Sequence, residues 1–261
     1  MTEPAKEEFK ERDTEQPFLS HLVELRDRLL RSVVAVVVVF LLLMPFANKL
    51  FSILAGPLSR HLPEHSSMIA IEVAAPFLVP IKLALVLAIF ITMPYLLYQL
   101  WAFIAPGLYR NERRLVFPLL LSSTLLFYLG VLFAYFVVFP LVFGFFAGAA
   151  PEGVSVMTDI GKYMDFALTL FISFGAAFEV PVATVLLVLT GVVQVEALTA
   201  KRPYIIVGAF IVGGLLTPPD VISQTLLAVP LLLLFEVGIY CSKHITPFER
   251  GKPEETDGQA T

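Results

Sequence analysis

The sequence predicts an all-α, polytopic integral membrane protein with six transmembrane helices, cytoplasmic termini and two short helices at its end. Hydrophobic residues make up 57% of the 261 residues, and charged residues only 15%, against roughly 25% in an average soluble domain. So few charges cannot cover the surface of a water-soluble globule of this size. The charges also lie between apolar stretches long enough to cross about 30 Å of hydrocarbon as helices.

Six apolar stretches define the predicted spans. In chain order they are residues 32–47, to which Leu29 and Leu30 add length, and then 83–109, 115–151, 166–195, 203–219 and 221–235. Pro140 and Gly144 suggest a kink or an end within the third, because proline interrupts helical hydrogen bonding. The last two contain only 17 and 15 residues. Spans this short thin the bilayer or associate with other helices.

Lysine and arginine are distributed unevenly around these spans. Fourteen lie in the two tails and in the connections after spans two and four, whereas four lie on the other side. Because cytoplasmic connections carry the excess of Lys and Arg, both termini are predicted in the cytoplasm. We expect a polar tail at residues 1–16, a membrane domain at 17–245 and a disordered polar tail at 246–261.

Several kinds of chemistry are absent from the sequence. It has no Gly-x-x-x-x-Gly-Lys-Ser/Thr loop for phosphate, and no Ser or Cys lies beside a His or carboxylate within a span. A net charge of −4 does not favour nucleic acid as a partner. His61 and His65 flank Glu64 at a spacing that a metal site uses, but an exposed loop pair is the simpler interpretation. We expect no catalytic residue, cofactor or metal.

The first polar candidate is the amphipathic segment 20–31. Its leucines lie on one helical face, and Glu24, Arg28 and Arg31 lie on another. Glu24 either pairs with Arg28 four residues later, which stabilises a helix by about 0.3–0.5 kcal/mol, or offers its carboxylate to a cationic ligand.

The second candidate is the short cytoplasmic connection at residues 103–114. Glu112 lies among three arginines. It either belongs to a helix start capped by Asn111 or takes part in binding. Three aromatic residues fit a belt at the membrane interface: Trp101, Phe103 and Tyr109.

The third candidate is Glu179, which lies about midway along the fourth stretch. An ionisable group at that depth costs about 2.5–3.5 kcal/mol and is by default a functional residue. The structural alternative is a neutral Glu179 that bonds Thr169, Ser173 or a neighbouring helix. Pro181 should free the carbonyl of Ala177, which makes a second polar point there.

The last candidates lie around the turn between spans five and six. Asp220 follows two prolines and should cap the sixth helix. Gln224, one turn later, is a candidate donor of an interhelical hydrogen bond. Ala209 and Gly213 form a small-xxx-small pair that permits close approach of a helix from this chain or from a partner.

Taken together, these motifs resemble the TatC family, the core subunit of the twin-arginine protein translocase. The resemblance covers about residues 17–245. It rests on these motifs: SHLVELRDRLL (20–30), MPYLLYQLWAFIAPGLYRNERR (93–114), LLFYLGVLFAYFVVFPLVFGFF (125–146), FEVPV (178–182), KRPYIIVGAF (201–210) and LLTPPDVISQTLLAVPLLLLFE (215–236).

The resemblance implies a function in protein export. It implies a multi-pass protein of the bacterial cytoplasmic (inner) membrane that binds twin-arginine signal peptides of folded cargo. It also implies TatA-like and TatB-like single-span partners, a homo-oligomer in the receptor complex, and export driven by the proton-motive force without an ATP site.

The resemblance also assigns roles residue by residue. It assigns recognition of the paired arginines to Glu24, Glu112, Phe103 and Arg26. It assigns intramembrane partner contacts to Glu179 and Gln224. It assigns partner docking to the short fifth helix with Gly213, Gly214 and Leu215, and transport roles near the periplasmic side to Pro57, Asp159 and Asp220, with Gln224 near them.

Three other interpretations remain open from the sequence. The main one is a proton-coupled small-molecule transporter in which Glu179 carries the proton. An intramembrane enzyme is disfavoured by the missing nucleophile. In a passive scaffold, the polar side chains would serve packing alone.

Overall fold

The structure, a computed structural model, describes residues 3–59, 68–104, 116–148, 158–216 and 221–244. Its elements are, in chain order, α1 (Glu3–Leu43), a 3₁₀ turn (Met44–Phe46), α2 (Ala47–Ser59), β1 (Met68–Ile69), α3 (Ala75–Ile104), α4 (Val116–Phe133), a π-helical turn (Ala134–Val138), α5 (Phe139–Gly148), β2 (Thr158–Asp159), α6 (Ile160–Ala177), α7 (Val180–Leu189), α8 (Val195–Ala200), α9 (Arg202–Leu216) and α10 (Val221–His244).

Within the described residues, five helical segments are long and apolar enough to cross a bilayer. They are Ser20–Ile53, Ala75–Ile104, Phe117–Phe145, Ile160–Leu189 and Leu227–His244. A shorter apolar helix covers Arg202–Leu215. The fold class is therefore confirmed as a polytopic helical membrane protein. The polar segment at 1–16 is part of α1 from Glu3 onward, and residues 246–261 lie outside the described part of the chain.

The predicted kink near Pro140 takes the form of a π-helical turn at Ala134–Val138. Proline has no N–H, and its ring clashes with the carbonyl four residues earlier, here that of Phe136. A wider turn around Phe136 accommodates this ring. The helix then continues through Gly144 to Gly148, so it does not end at Gly144.

The helix is also interrupted just before Pro181. Helix α6 ends at Ala177, and α7 begins at Val180 with Pro181 in its first turn. The Ala183 N–H donates to the Glu179 carbonyl at 2.8 Å, which starts the new helix. Proline is favourable in a first turn because the N–H it lacks has no helical partner there.

The last two helices differ in length, which corrects one prediction. Helix α9 is short, with 15 residues, as expected. Helix α10 has 24 residues and continues past Glu236 to His244, so it is not a short span. Arg202 Nη2 donates to Glu236 Oε2 at 2.7 Å, which compensates the charge inside the helix. Lys243 and His244 in the last turn favour the negative end of the helix dipole.

Two compact units make up the fold. In the first, residues 1–125 and 139–170, helices α1 and α2 pack against α3. Its core is formed by Ala75, Val79, Leu83, Met164 and Leu168. A short parallel pairing of β1 with β2 places Met68 beside Thr158. Lys82 Nζ binds Asp165 Oδ1 at 3.0 Å.

Trp101 lies inside the first unit rather than in an interfacial belt. It is only 3% exposed, and its Nε1–H donates to Ser123 Oγ at 3.4 Å. An indole inside an apolar core needs a partner for this donor, and the Ser123 hydroxyl supplies it. The interfacial prediction for Trp101 is therefore wrong.

In the second unit, residues 126–138 and 171–261, helix α10 packs against α7 and α9. Two glycines allow α4 and α6 to approach closely. A Cβ at Gly130 would lie 2.5 Å from the Phe174 carbonyl oxygen, and one at Gly175 would lie 2.6 Å from the Phe127 ring. Close backbone approach at small residues is the usual way helices pack in a membrane.

Candidate functional site

The Glu24 carboxylate on α1 already binds a guanidinium group. Arg28, one turn later, donates from Nε at 2.9 Å and from Nη2 at 2.7 Å, both to Glu24 Oε1. The two side chains are 34% and 23% exposed, so the pair lies at the surface but is partly shielded from water. The pairing predicted from the i,i+4 spacing is confirmed.

The same arginine connects this carboxylate to helix α3. Arg28 Nη1 donates to Gln99 Oε1 at 3.3 Å. Gln99 is only 6% exposed, and its Nε2 donates to the Tyr95 hydroxyl at 2.6 Å. Because a buried amide needs partners for both of its ends, Arg28 and Tyr95 together fix its orientation.

An aromatic contact joins the start of this region to the end of α3. The His21 and Phe103 rings are stacked with centroids 4.2 Å apart and an interplanar angle of 14°. His21 Nδ1 also lies 3.8 Å from Glu24 Oε2. The structure thus brings two predicted site residues, Glu24 and Phe103, to the same place through His21.

Two other residues, Arg26 and Glu112, are predicted to belong to the arginine-binding site. Arg26 is exposed, and its Nη2 pairs with Asp27 Oδ1 at 2.8 Å rather than with Glu24. Glu112 lies outside the described residues, in the connection between Ile104 and Val116. That Glu112 completes the site therefore stays a prediction.

Glu179 lies at the break between α6 and α7, immediately before Val180. Its Oε1 is buried. In the same unit, an open apolar cavity of about 510 Å³ is lined by residues on both sides of this break, including Ala177 and Val180. The sequence interpretation of Glu179 as a polar group within an apolar environment fits this placement.

Gln224 makes the interhelical bond that its sequence interpretation predicts. Its Nε2 on α10 donates to the Phe210 carbonyl on α9. A Cβ at Gly213 would lie 3.0 Å from the Gln224 carbonyl oxygen, and one at Gly214 would lie 2.9 Å from Gln224 Nε2. At Gly213 and Gly214 the small-residue face of α9 is therefore in contact with Gln224 of this chain.

The remaining predicted residues are placed as follows. Asp159 is buried, and its Oδ1 accepts a bond from the Gly161 N–H at 3.1 Å, which caps α6. Leu215 on α9 is 86% exposed. Pro57 belongs to α2, but its side chain is outside the described part of the structure. Asp220, His61 and His65 lie wholly outside the described residues.

Sequence reasoning missed three side chains of this region: His21, Tyr95 and Gln99. Gln99 carried a usable signal, since an amide inside an apolar span needs a hydrogen-bond partner. Its partner Arg28 lies 71 residues away in the chain, and no local pattern connects the two.

The comparison with known proteins shows the family of the chain. Residues 20–230 match the sequence model of TatC, described as Sec-independent protein translocase protein. The chain belongs to the TatC family. It is 57% identical to TatC of Haemophilus influenzae, over 90% of this chain and 92% of that protein. It is 56% identical to TatC of Escherichia coli K12, over 92% and 93% of the two chains.

A solved TatC structure is similar as well. It is a crystal structure of the twin-arginine translocase receptor TatC, with a TM-score of 0.77 and 41% sequence identity. The similarity covers 85% of this chain and 98% of that one. TatC is a protein-transport family of the bacterial inner membrane and not an enzyme family. It is part of the Tat translocase and works with other Tat components.

Proposed function

We propose that the chain recognises twin-arginine signal peptides of folded cargo with Glu24 and Glu112. The observation that carries this proposal is the Glu24 carboxylate holding two N–H groups of one guanidinium, that of Arg28. A carboxylate that accepts this fork from its own chain offers the same chemistry to an arginine of a ligand. Two adjacent arginines are bound best by two carboxylates, and we assign the second carboxylate to Glu112.

The aromatic contact supports the location of the site. Phe103 lies one residue before the end of α3, where the connection that carries Glu112 begins. Its stacking on His21 holds this end of α3 beside the segment of α1 that carries Glu24. Arg26 belongs to the same segment, and its exposed guanidinium pairs with Asp27.

We further propose that TatA-like and TatB-like single-span partners dock on the second unit, in an assembly with several copies of this chain. The exposed face of α9 supports this, since its apolar residues recur at helical spacing: Tyr204, Val207, Ile211 and Leu215. We therefore assign partner docking to this exposed face of α9, since Gly213 and Gly214 pack against Gln224 of the same chain. Glu179 would supply a polar contact beside the apolar cavity, and Gln224, Asp159, Asp220 and Pro57 would support transport.

Binding of paired peptides tests the receptor role. The purified full-length chain in lipid nanodiscs is titrated with a fluorescent peptide that carries two adjacent arginines and an apolar segment. A matched peptide has two lysines instead. Because lysine lacks the planar fork, the lysine peptide should bind at least about tenfold more weakly. Equal affinities for the two peptides would contradict the proposal.

A further inference from the structure

We propose that Arg28 is a built-in competitor for Glu24. In the resting protein it occupies this carboxylate, and it moves to Gln99 when an arginine of the signal peptide takes its place. This inference deepens the proposed function and rests on Glu24 being part of the peptide site.

The hydrogen bonds at Glu24 show why a ligand must compete. A carboxylate has about two acceptor positions on each oxygen. Arg28 uses both positions of Oε1, through Nε at 2.9 Å and Nη2 at 2.7 Å. Oε2 lies 3.8 Å from His21 Nδ1, which is beyond hydrogen-bond range. A guanidinium that binds both oxygens in parallel needs a position on Oε1, so Arg28 must give up at least one bond.

The structure also provides a place for the displaced group. Arg28 Nη1 already lies 3.3 Å from Gln99 Oε1, a long hydrogen bond that can shorten. The Gln99 amide nitrogen donates to the Tyr95 hydroxyl at 2.6 Å, so the amide oxygen points toward Arg28. Because Gln99 is almost fully buried, its amide oxygen can reach few hydrogen-bond donors other than Arg28. The displaced guanidinium therefore does not become a partly buried charge without a hydrogen bond.

This competition favours ligands with two arginines. At Glu24, a ligand arginine replaces one charge-assisted pair by another of the same kind, so the net affinity from this contact is smaller than that of a pair formed without competition. A second arginine that finds a second carboxylate adds affinity to this reduced contact. Arg28 therefore disfavours segments that rely on Glu24 alone.

Two variants with opposite expected effects test the proposal in the same nanodisc titration. Arg28→Gln removes the competitor and should tighten binding of the twin-arginine peptide about two- to fivefold. Gln99→Met removes the acceptor at similar volume and should weaken binding by a similar factor. Arg31→Gln makes the same change of charge at an exposed position one turn further along α1 and should leave binding unchanged.

A merely structural tie between α1 and α3 would make both variants weaker, and that result would overturn the proposal. Thermal unfolding confirms that each variant is folded. Where Arg28→Gln does not fold, Arg28→Lys keeps the charge and stem without the fork, and it should also tighten binding. An unchanged or lower affinity of folded Arg28→Lys is equally contrary.

The Glu24→Gln variant, measured in parallel, separates this inference from the proposed function. If Glu24→Gln weakens binding while Arg28→Gln does not tighten it, the competitor fails and the peptide site stands. If Glu24→Gln leaves binding intact, Glu24 is not in the peptide site and both proposals fail.

Discussion

Replacing Glu24 and Glu112 together by glutamine should abolish binding of a twin-arginine peptide, with a loss of more than about 100-fold in affinity. Each carboxylate–guanidinium contact is a charge-assisted hydrogen-bond pair worth about 1.5–3 kcal/mol, and glutamine keeps the shape but loses the charge. Fluorescence anisotropy of the labelled peptide on the full-length protein measures the loss. The single variants should give intermediate affinities, because each removes one of two contacts.

A matched control for this double variant is available on helix α8. Glu196 is exposed and lies in the connection that the charge distribution also places in the cytoplasm. Glu196→Gln removes one negative charge from the same side and should leave peptide affinity within about twofold. Should the double variant bind the peptide as the unchanged protein does, the assignment of these two residues is wrong.

Substitution of Glu179 should distinguish two roles for this residue, contact with a partner helix and transfer of a proton. If Glu179 contacts a single-span partner through a hydrogen bond, Glu179→Gln keeps the contact and Glu179→Leu loses it. Interhelical polar bonds in membranes contribute about 0.6–2 kcal/mol, so the leucine variant should capture roughly three- to thirtyfold less TatA-like or TatB-like partner. Co-purification of tagged partners from membranes, together with an export assay, measures both.

The two variants carry their own controls. Peptide binding at Glu24 should be unchanged in both, which shows that the fold and the receptor site are intact. An amide cannot exchange a proton at pH 7. Loss of export in Glu179→Gln with normal partner capture would therefore point to proton transfer by Glu179, as in the small-molecule transporter interpretation, and against the partner contact.

Local sequence patterns predicted the features that depend on neighbouring residues. The pairing of Glu24 with Arg28, the kink near Pro140 and the capacity of Gln224 to bond another helix all follow from spacing of a few residues. In each case the residue type restricts the local geometry, either through helical periodicity or through the missing N–H of proline.

Features that depend on distant parts of the chain could not be predicted in this way. The stacking of His21 on Phe103 and the bond from Arg28 to Gln99 arise only when α1 packs against α3. Trp101 looked interfacial because tryptophan favours that depth, yet a serine from α4 satisfies its N–H inside the protein. Helix α10 continues past Glu236, the charge that ended the predicted stretch, and Arg202 from α9 pairs with this carboxylate.

The most direct test of the account is to map where the paired arginines bind. A twin-arginine peptide with a photoreactive residue next to the arginines is irradiated with the full-length protein in nanodiscs, and the attachment sites are read by mass spectrometry. Crosslinks should fall within residues 20–30 and 100–114 and should disappear when the arginines are replaced by lysines. Crosslinks elsewhere in the chain, or an unchanged pattern with the lysine peptide, would contradict recognition by Glu24 and Glu112.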